Sequence, residues 1–236
     1  MKDIYKHIIS LAVFISLTVF IFNPIFFENK KIKQHDIEQW MYSANETIEF
    51  RKNNNEEALW SNSMFSGMPA YLIDVKWSNN IIIYIHKIYS LFFPHPVSSF
   101  IISFISFYIM LLCFRVRPEI ALFGSIAFTL SSYMVIGISA GHNARIGTAA
   151  FLPLILGGVH LCIHRNRNLG FIITAIALAL QLRINHLQIT YYTLLILIFY
   201  GGGQLLYFYS INKLSFFIKG ITILIFAAML SIGTFF

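Results

Sequence analysis

The chain has 236 residues, of which 57% are hydrophobic and only 11% are charged. A soluble domain carries about 25% charged residues, so this composition excludes an ordinary soluble protein and predicts a chain embedded in the lipid bilayer. The formal net charge of +7 comes from Lys and Arg residues scattered singly or in pairs between apolar runs. That distribution fits anchoring at a lipid surface better than a phosphate-tracking groove, and we expect no nucleic acid among the partners.

Apolar runs long enough to cross a bilayer recur along the chain. They predict about seven transmembrane helices, at residues 8–27, 98–114, 119–140, 147–163, 169–183, 188–208 and 216–236. The first run follows a basic start and reaches Asn23-Pro24 without a small-residue cleavage site, which predicts a retained helix rather than a cleaved signal peptide. The sequence therefore predicts an all-α integral membrane protein with a short N-terminus and first helix over residues 1–27 and six further helices over residues 98–236.

The basic residues between these runs predict the orientation of the chain. With the N-terminus in the cytoplasm, eight of them fall on the cytoplasmic side: Lys2, Lys6, Arg115, Arg117, Arg165, Arg167, Lys213 and Lys219. The short loops on the other side then hold only Arg145 and Arg183. Because cytoplasmic loops carry an excess of Lys and Arg, we predict a cytoplasmic N-terminus and an extracytoplasmic loop at residues 28–97.

Residues 28–97 form the one soluble-looking segment. Apolar side chains recur at helical spacing in its first part, at Ile37, Trp40, Met41, Ala44 and Ile48. This spacing predicts an amphipathic helix, which Asn53-Asn54-Asn55 would end. Residues 60–69 are rich in aromatic and Met side chains and predict a loop. The apolar run 81–93 is too short to span the bilayer, which predicts a helix in the membrane interface.

The carboxylates are concentrated in this loop. It holds eight of the ten, and the other two, Asp3 and Glu119, fall on the predicted cytoplasmic side. A general base or metal ligand on the outer side must therefore come from residues 28–97. Asp36 is the candidate because it follows the first span closely and would lie at the membrane surface. The alternative is that Asp36 caps a helix beginning at Ile37, and the two roles are compatible.

Two polar turns fall on the same predicted side as this loop. They contain His142, Asn143, Arg145, Arg183, Asn185 and His186. In each turn a His and an Arg stand three residues apart, which places them on one face of a helical turn. Ionisable groups at membrane depth indicate function, and Arg suits phosphate, whereas the alternative is ordinary interfacial Arg that snorkels to water. Metal binding by His142 and His186 is disfavoured because their spacing is not that of a ligand pair.

Two further patterns are interpreted as structural. His160 and His164 stand four residues apart, but the neighbouring Arg165 and Arg167 disfavour a bound cation, so we expect interfacial anchoring. The glycine triplet 201–203 lies within an apolar run, which predicts close helix packing or a kink rather than a phosphate-binding loop.

Several motifs follow one another in a recognisable order. They are "HDIEQW" (35–40), "LWSNSMFSGMPAY" (59–71), "FPHPV" (93–97), "SSYMVIGISAGHNARI" (131–146) and "LRINHLQITYY" (182–192). In this order they resemble the N-terminal part of the YfhO-like bacterial membrane proteins, from the first span to about Tyr192. That family is similar to the GT-C superfamily of glycosyltransferases, multi-pass enzymes that take a sugar from a polyprenyl-phosphate carrier on the outer face of the membrane.

The resemblance implies a GT-C-like fold in the bacterial inner membrane and transfer of the polyprenyl-phosphate-linked sugar to a cell-envelope glycan or glycolipid. Asp36 would act as the catalytic base or would hold a divalent metal. The residues implied to contact the donor phosphate or the acceptor are His142, Asn143, Arg145, Arg183, Asn185 and His186. The chain departs from the family pattern at three positions, where Arg145, Gln181 and Leu187 replace the usual Lys, acid and Pro.

Two other functions stay open at this level. Members of the family are several times longer, and this chain stops within an apolar run at Phe236, so we expect a C-terminally truncated copy that could be an inactive remnant. A transporter or lipid-carrier translocator is the second alternative, and it predicts mid-membrane charge and broken helices. The nearly uncharged spans and the polar residues gathered on one side favour chemistry at one face of the membrane.

Overall fold

A computed structural model describes residues 4–74 and 81–233. Within them, the α-helices are α1 (Ile4–Ile21), α2 (Asn23–Phe27), α3 (His35–Ser43), α4 (Asn45–Asn54), α5 (Ile81–Tyr89), α6 (Val97–Cys113), α7 (Pro118–Thr129), α8 (Ser132–Ala140), α9 (Asn143–His164), α10 (Arg167–Ile184), α11 (Leu187–Ser210) and α12 (Leu214–Gly233). A two-stranded hairpin pairs β1 (Trp60–Ser61) with β2 (Met68–Pro69), and a 3₁₀ turn follows at Ala70–Leu72. The predicted basic residue Lys2, the acid Asp3 and the last residues of the seventh predicted span lie outside the described residues.

The long helices establish the fold class. Five described helices, α1, α9, α10, α11 and α12, are long and apolar enough to cross a membrane. The pair α7 and α8 makes a sixth crossing if its two halves, bent by 41°, count as one span. Helix α6 is apolar but has only 17 residues. The chain is therefore an all-α membrane protein, and each predicted span coincides with one of these apolar segments.

The first predicted span is too long at its C-terminal end. Helix α1 ends at Ile21 rather than at residue 27, and a short separate helix, α2, follows. Pro24 is the physical reason, because it has no N–H to donate to the preceding turn. The side chain of Asn23 partly replaces that donor, since its Nδ2 donates to the Phe20 carbonyl at 3.1 Å.

Two other predicted helices are each divided in two. The third predicted span breaks after Thr129, and Ser131 has extended backbone (φ −59°, ψ 148°) before α8 begins. The predicted amphipathic helix breaks at Ala44, between α3 and α4. Hydropathy reports which residues avoid water and not the backbone angles, so neither break is visible in it. The predicted stop at the asparagine triplet is confirmed, because α4 ends at Asn54 and Asn55 takes the left-handed conformation (φ 54°).

Helix α9 forms the centre of the bundle. In its most apolar stretch 83% of the residues are buried, against 11% for α11, which lies at the periphery. Glycine allows α10 to approach α9 closely, because a Cβ added at Gly170 would lie 2.3 Å from the backbone nitrogen of Cys162. The glycine triplet 201–203 does not have this role. A Cβ there would meet nothing within 4 Å among the described residues, and α11 runs through unbroken, so the predicted packing or kink is wrong.

The polar loop and the two polar turns meet at one end of the bundle, which we call the cavity end. The opposite end holds the ion pair of Lys6 with Glu119, at 2.7 Å, and the hydrogen bond of His7 with Tyr108, at 2.8 Å. These contacts join the start of α1 to the start of α7 and the C-terminal part of α6. Residues 28–74 and the α8–α9 and α10–α11 junctions therefore share the cavity end.

Candidate functional site

A cavity of about 1150 Å³ opens at the cavity end of the bundle. Its wall combines the polar loop with α3, α5, α6, α9 and α10. The polar and charged residues that line it are Asn29, Lys30, Lys31, Gln34, Asp36, Asp74, His86, His95, Ser98, Ser99, Asn143 and Arg183. Three of the seven site residues predicted from the sequence, Asp36, Asn143 and Arg183, therefore line one cavity although they are far apart in the chain.

A pair of amides fixes the polar loop to the helix bundle beside this cavity. Gln34 Nε2 donates to Asn143 Oδ1 at 2.9 Å, and Asn143 Nδ2 donates back to Gln34 Oε1 at 3.0 Å. Gln34 Nε2 also donates to the Ile138 carbonyl at 2.5 Å. Both residues are largely buried, so these bonds satisfy polar groups that have little contact with water. The pair fixes the chain two residues before Asp36.

Asp36 contacts the first polar turn directly. The Nδ1 atom of His142 lies 2.7 Å from Asp36 Oδ2, and both side chains are about two-fifths exposed. The predicted capping role of Asp36 is wrong, because α3 begins at His35 and its N-cap residue is Gln34. Asp36 lies instead in the first turn, where the helix dipole favours a negative charge. The carboxylate is thus available to a molecule in the cavity, with His142 orienting one of its oxygens.

Arg183 lies in the cavity wall with two histidines. Burial lowers the pKa of His86 to about 4, and the charges of Arg183 and His95 contribute to the same direction. Burial also lowers the pKa of His95. The Nε atom of Arg183 is buried and has no hydrogen-bond partner among the described residues. This part of the wall therefore combines one fixed positive charge with two imidazoles that are neutral near pH 7.

The two carboxylates of the cavity wall have partners of their own. Arg51 Nη2 donates to Asp74 Oδ2 at 2.6 Å, and Asp36 is bonded to His142. The Arg51 bond also holds the end of the loop against α4, and Trp40 Nε1 donates to the Ile73 carbonyl at 2.9 Å beside it. Neither carboxylate is paired with Arg183, whose charge is left available to a ligand.

Four of the predicted site residues lie outside the residues that line the cavity. Asn185 is the left-handed cap of α10 (φ 59°), and His186 caps α11 through a bond from the Ile189 N–H to its Nδ1 at 3.4 Å. The guanidinium of Arg145 lies over the Tyr133 ring, 5.1 Å from its centroid. His142 does not line the cavity, but it bonds to Asp36, which does. Local backbone contacts account for Asn185 and His186. Arg145 packs on Tyr133, and its Nε, like that of Arg183, is buried without a hydrogen-bond partner among the described residues. The sequence could not show which of the two arginines lines the cavity.

The aromatic hairpin of residues 60–69 is also outside the cavity wall. Glu46 fixes it to α4, since its carboxylate accepts from Ser61 Oγ at 2.7 Å, from the Asn62 N–H at 3.0 Å and from the Ser63 N–H at 2.8 Å. These bonds, led by the one from Ser61, lower the pKa of Glu46 to about 2. The hairpin is thus attached by an ionised carboxylate, and Trp40 and Ile73 are the nearby apolar residues that face the cavity.

The described residues contain no group of three or more His, Cys, Asp or Glu side chains placed to hold a metal ion. The metal-binding alternative for Asp36 therefore has no ligand set in this part of the chain. His160 and His164 are not a metal pair either. They stack on one another, with ring centroids 4.5 Å apart, and bond to Tyr200 at 2.5 Å and to Gln204 at 2.7 Å on α11. Both residues therefore take part in the packing of α9 against α11, and the expected interfacial anchoring stays a prediction.

An apolar groove of about 380 Å³ adjoins the cavity. It runs between the end of α1 and α8 and is lined mainly by apolar side chains, including Phe22, Phe100, Leu130 and Ile138. Four residues belong to the walls of both spaces: Ile25, Lys30, Lys31 and Ile32. The polar cavity and the apolar groove therefore meet at a pair of lysines.

Gln34, His86 and His95 are the site residues that the sequence did not single out. Gln34 is a neutral residue in a polar loop and carries no signal in the sequence. His86 lies within the apolar run 81–93 and His95 follows it after Pro94, so an ionisable side chain in or beside an apolar run was the one available indication.

No family model matches the chain, and no curated protein or solved structure is significantly similar to it.

Proposed function

We propose that the chain is a GT-C-like membrane glycosyltransferase of the YfhO-like type, which moves a sugar from a polyprenyl-phosphate carrier to a cell-envelope acceptor. One observation carries the proposal. At one end of a membrane helix bundle, a cavity lined by Asp36, Asn143 and Arg183 adjoins an apolar groove. A lipid-linked sugar needs both spaces, because its isoprenoid chain is apolar while its phosphate and sugar are polar.

The chemistry follows from the residues of the cavity wall. The acceptor hydroxyl gives its proton to the Asp36 carboxylate while its oxygen attacks the anomeric carbon, with inversion. The bond from that carbon to the phosphate oxygen breaks, and its electron pair remains on the carrier phosphate. Arg183 stabilises the charge that builds there, and His142 orients the carboxylate through the 2.7 Å hydrogen bond to Oδ2.

The test replaces Asp36 by Asn and measures transfer of radiolabelled sugar from a polyprenyl-phosphate donor in membranes that contain equal amounts of each protein. We expect transfer to fall by a factor of about 100 or more, the usual effect of removing a general base. Glu38→Gln is the matched control, because Glu38 lies on the same helix, outside the residues that line the cavity, and pairs at 3.8 Å with Lys33. Unchanged transfer by Asp36→Asn at normal protein level would refute the catalytic role.

A membrane transporter or lipid-carrier translocator is the second candidate. The 41° break between α7 and α8 favours it, because broken helices are common where transporters bind their substrates. Proteoliposomes separate the two functions: a translocator moves a fluorescent polyprenyl phosphate between leaflets without an acceptor, whereas a transferase consumes the donor only when an acceptor is present.

A further inference from the structure

The cavity wall brings one arginine and two histidines close together. Arg183 from α10 and His86 from α5 interact electrostatically, and His86 also interacts with His95. All three residues line the cavity. They come from three separate segments of the chain, so the tertiary fold alone brings them together.

In the described part of the chain, no carboxylate pairs with Arg183 of this cluster. The Nε atom of Arg183 is buried without a hydrogen-bond partner, which is costly for a donor. The Nε atoms of Arg145 and Arg167 are in the same state, but of the three residues only Arg183 lines the cavity. The carboxylates that share the cavity wall are bonded elsewhere, Asp74 to Arg51 at 2.6 Å and Asp36 to His142 at 2.7 Å. A ligand that brings negative charge and several acceptor oxygens would satisfy these donors.

We propose that Arg183, His86 and His95 together form a phosphate-binding site in the cavity. The guanidinium presents a fixed fork of N–H donors that matches phosphate oxygens, and each imidazole can add a further N–H. The proposal deepens the proposed function, because a carrier phosphate seated here would lie in the same cavity as Asp36. Neither histidine was assigned a role by the sequence.

The site also separates the basic residues of the cavity end into two groups. Arg183 faces the cavity, whereas Arg145 lies over the Tyr133 ring and outside the cavity wall. The phosphate site therefore depends on α5, residues 94–96 and α10, and not on the turn between α8 and α9. Lys30 and Lys31, shared with the apolar groove, give a charged path from the groove to the site.

The experiment measures binding of two probes to the purified full chain in lipid nanodiscs. Inorganic phosphate represents a free ligand, and a polyisoprenyl phosphate represents a lipid headgroup. Affinity is measured for the unmodified chain and for Arg183→Gln, His86→Gln and His95→Gln. We expect a loss of about tenfold to a hundredfold for Arg183→Gln and a smaller loss for each histidine variant, as removal of charge-assisted and neutral hydrogen bonds predicts.

Arg165→Gln is the control, because Arg165 is exposed at the opposite end of the bundle, where α9 ends. Arg183→Lys keeps the positive charge but lacks the planar set of N–H donors, and it serves as a second variant in case Arg183→Gln does not fold. We expect its loss of phosphate affinity to be smaller than that of Arg183→Gln, at an unchanged thermal midpoint. Tighter binding of the polyisoprenyl phosphate than of inorganic phosphate assigns the site to a lipid headgroup, and equal binding assigns it to a free phosphate. Absence of binding by both probes, or equal affinity in all variants, overturns the proposal.

Binding is measured here without any transfer reaction. If the variants lose phosphate binding while the unmodified chain transfers no sugar, the phosphate site stands and the glycosyltransferase proposal fails. If Asp36→Asn abolishes transfer while the variants at Arg183, His86 and His95 bind phosphate as tightly as the unmodified chain, the glycosyltransferase proposal stands and the phosphate site fails.

Discussion

The buried amide pair of Gln34 and Asn143 gives the most direct test of how the fold positions Asp36. Gln34→Ala removes two hydrogen bonds with Asn143 and one to the Ile138 carbonyl. Each bond contributes about 1 kcal/mol net, and the polar groups left unpaired in a buried site add to the cost. We therefore expect the free energy of local opening of the segment that carries Asp36 to fall by about 3 kcal/mol.

Hydrogen–deuterium exchange read by mass spectrometry measures this effect. A loss of 3 kcal/mol corresponds to exchange about a hundredfold faster in α3, in the regime where opening is at equilibrium. Gln39→Ala is the matched control, because Gln39 lies on the same helix and bonds at 3.0 Å to the exposed His35. That variant should change exchange by less than about threefold.

A double-mutant cycle makes the reasoning refutable. Because Gln34 and Asn143 are bonded to one another, the cost of Gln34→Ala with Asn143→Ala should be at least about 1 kcal/mol smaller than the sum of the single costs. Strictly additive costs, or unchanged exchange in α3 on Gln34→Ala, would mean that the amide pair does not hold the loop to the bundle.

Three further predictions concern packing, the hairpin and the cavity. Gly170→Val should lower the thermal midpoint by several degrees, because its Cβ would lie 2.3 Å from the Cys162 nitrogen, whereas Gly201→Val, whose Cβ has open space, should leave the midpoint unchanged in a thermal melt. Glu46→Gln should speed proteolysis in the hairpin at pH 7. Because the pKa of Glu46 is lowered to about 2, its stabilising effect is complete above about pH 4.5 and is lost as the pH falls toward 2, so the variant and the unmodified chain should be cleaved at similar rates at pH 2. A phosphodiester keeps a constant charge over the pH range of interest. In the free site, burial and the charges of Arg183 and His95 lower the pKa of His86 to about 4. Because the bound anion favours protonation of His86, binding should tighten as the pH falls from about 7.5 to about 5. His86→Gln should flatten that pH dependence in calorimetry, and an unchanged slope would contradict the role of His86.

Hydropathy and charge were enough to predict the class of the molecule. Apolar runs located every long helix because a bilayer span must hide about 20 residues from water. The placement of the carboxylates pointed to residues 28–97, and closeness to the first span then pointed to Asp36. The structure places Asp36 in the wall of the polar cavity.

The breaks in the helices were not predictable in the same way. The bend after Thr129 and the division at Ala44 depend on backbone angles, which apolar periodicity does not report. Pro24 did carry a signal, since a missing N–H ends a helix, but its effect was underestimated because the apolar run continues past it.

The composition of the site required the tertiary structure. The sequence alone determined that this is an all-α membrane protein, and it predicted that one loop and two turns hold the polar groups of the extracytoplasmic side. Only the fold decided that Arg183 faces the cavity while Arg145 packs on Tyr133, and that Gln34, His86 and His95 join the site. The physical reason is that the sequence of a turn does not report what surrounds its side chains. Asn143 bonds to Gln34 and Arg183 interacts with His86, and only the fold brings these distant parts of the chain together.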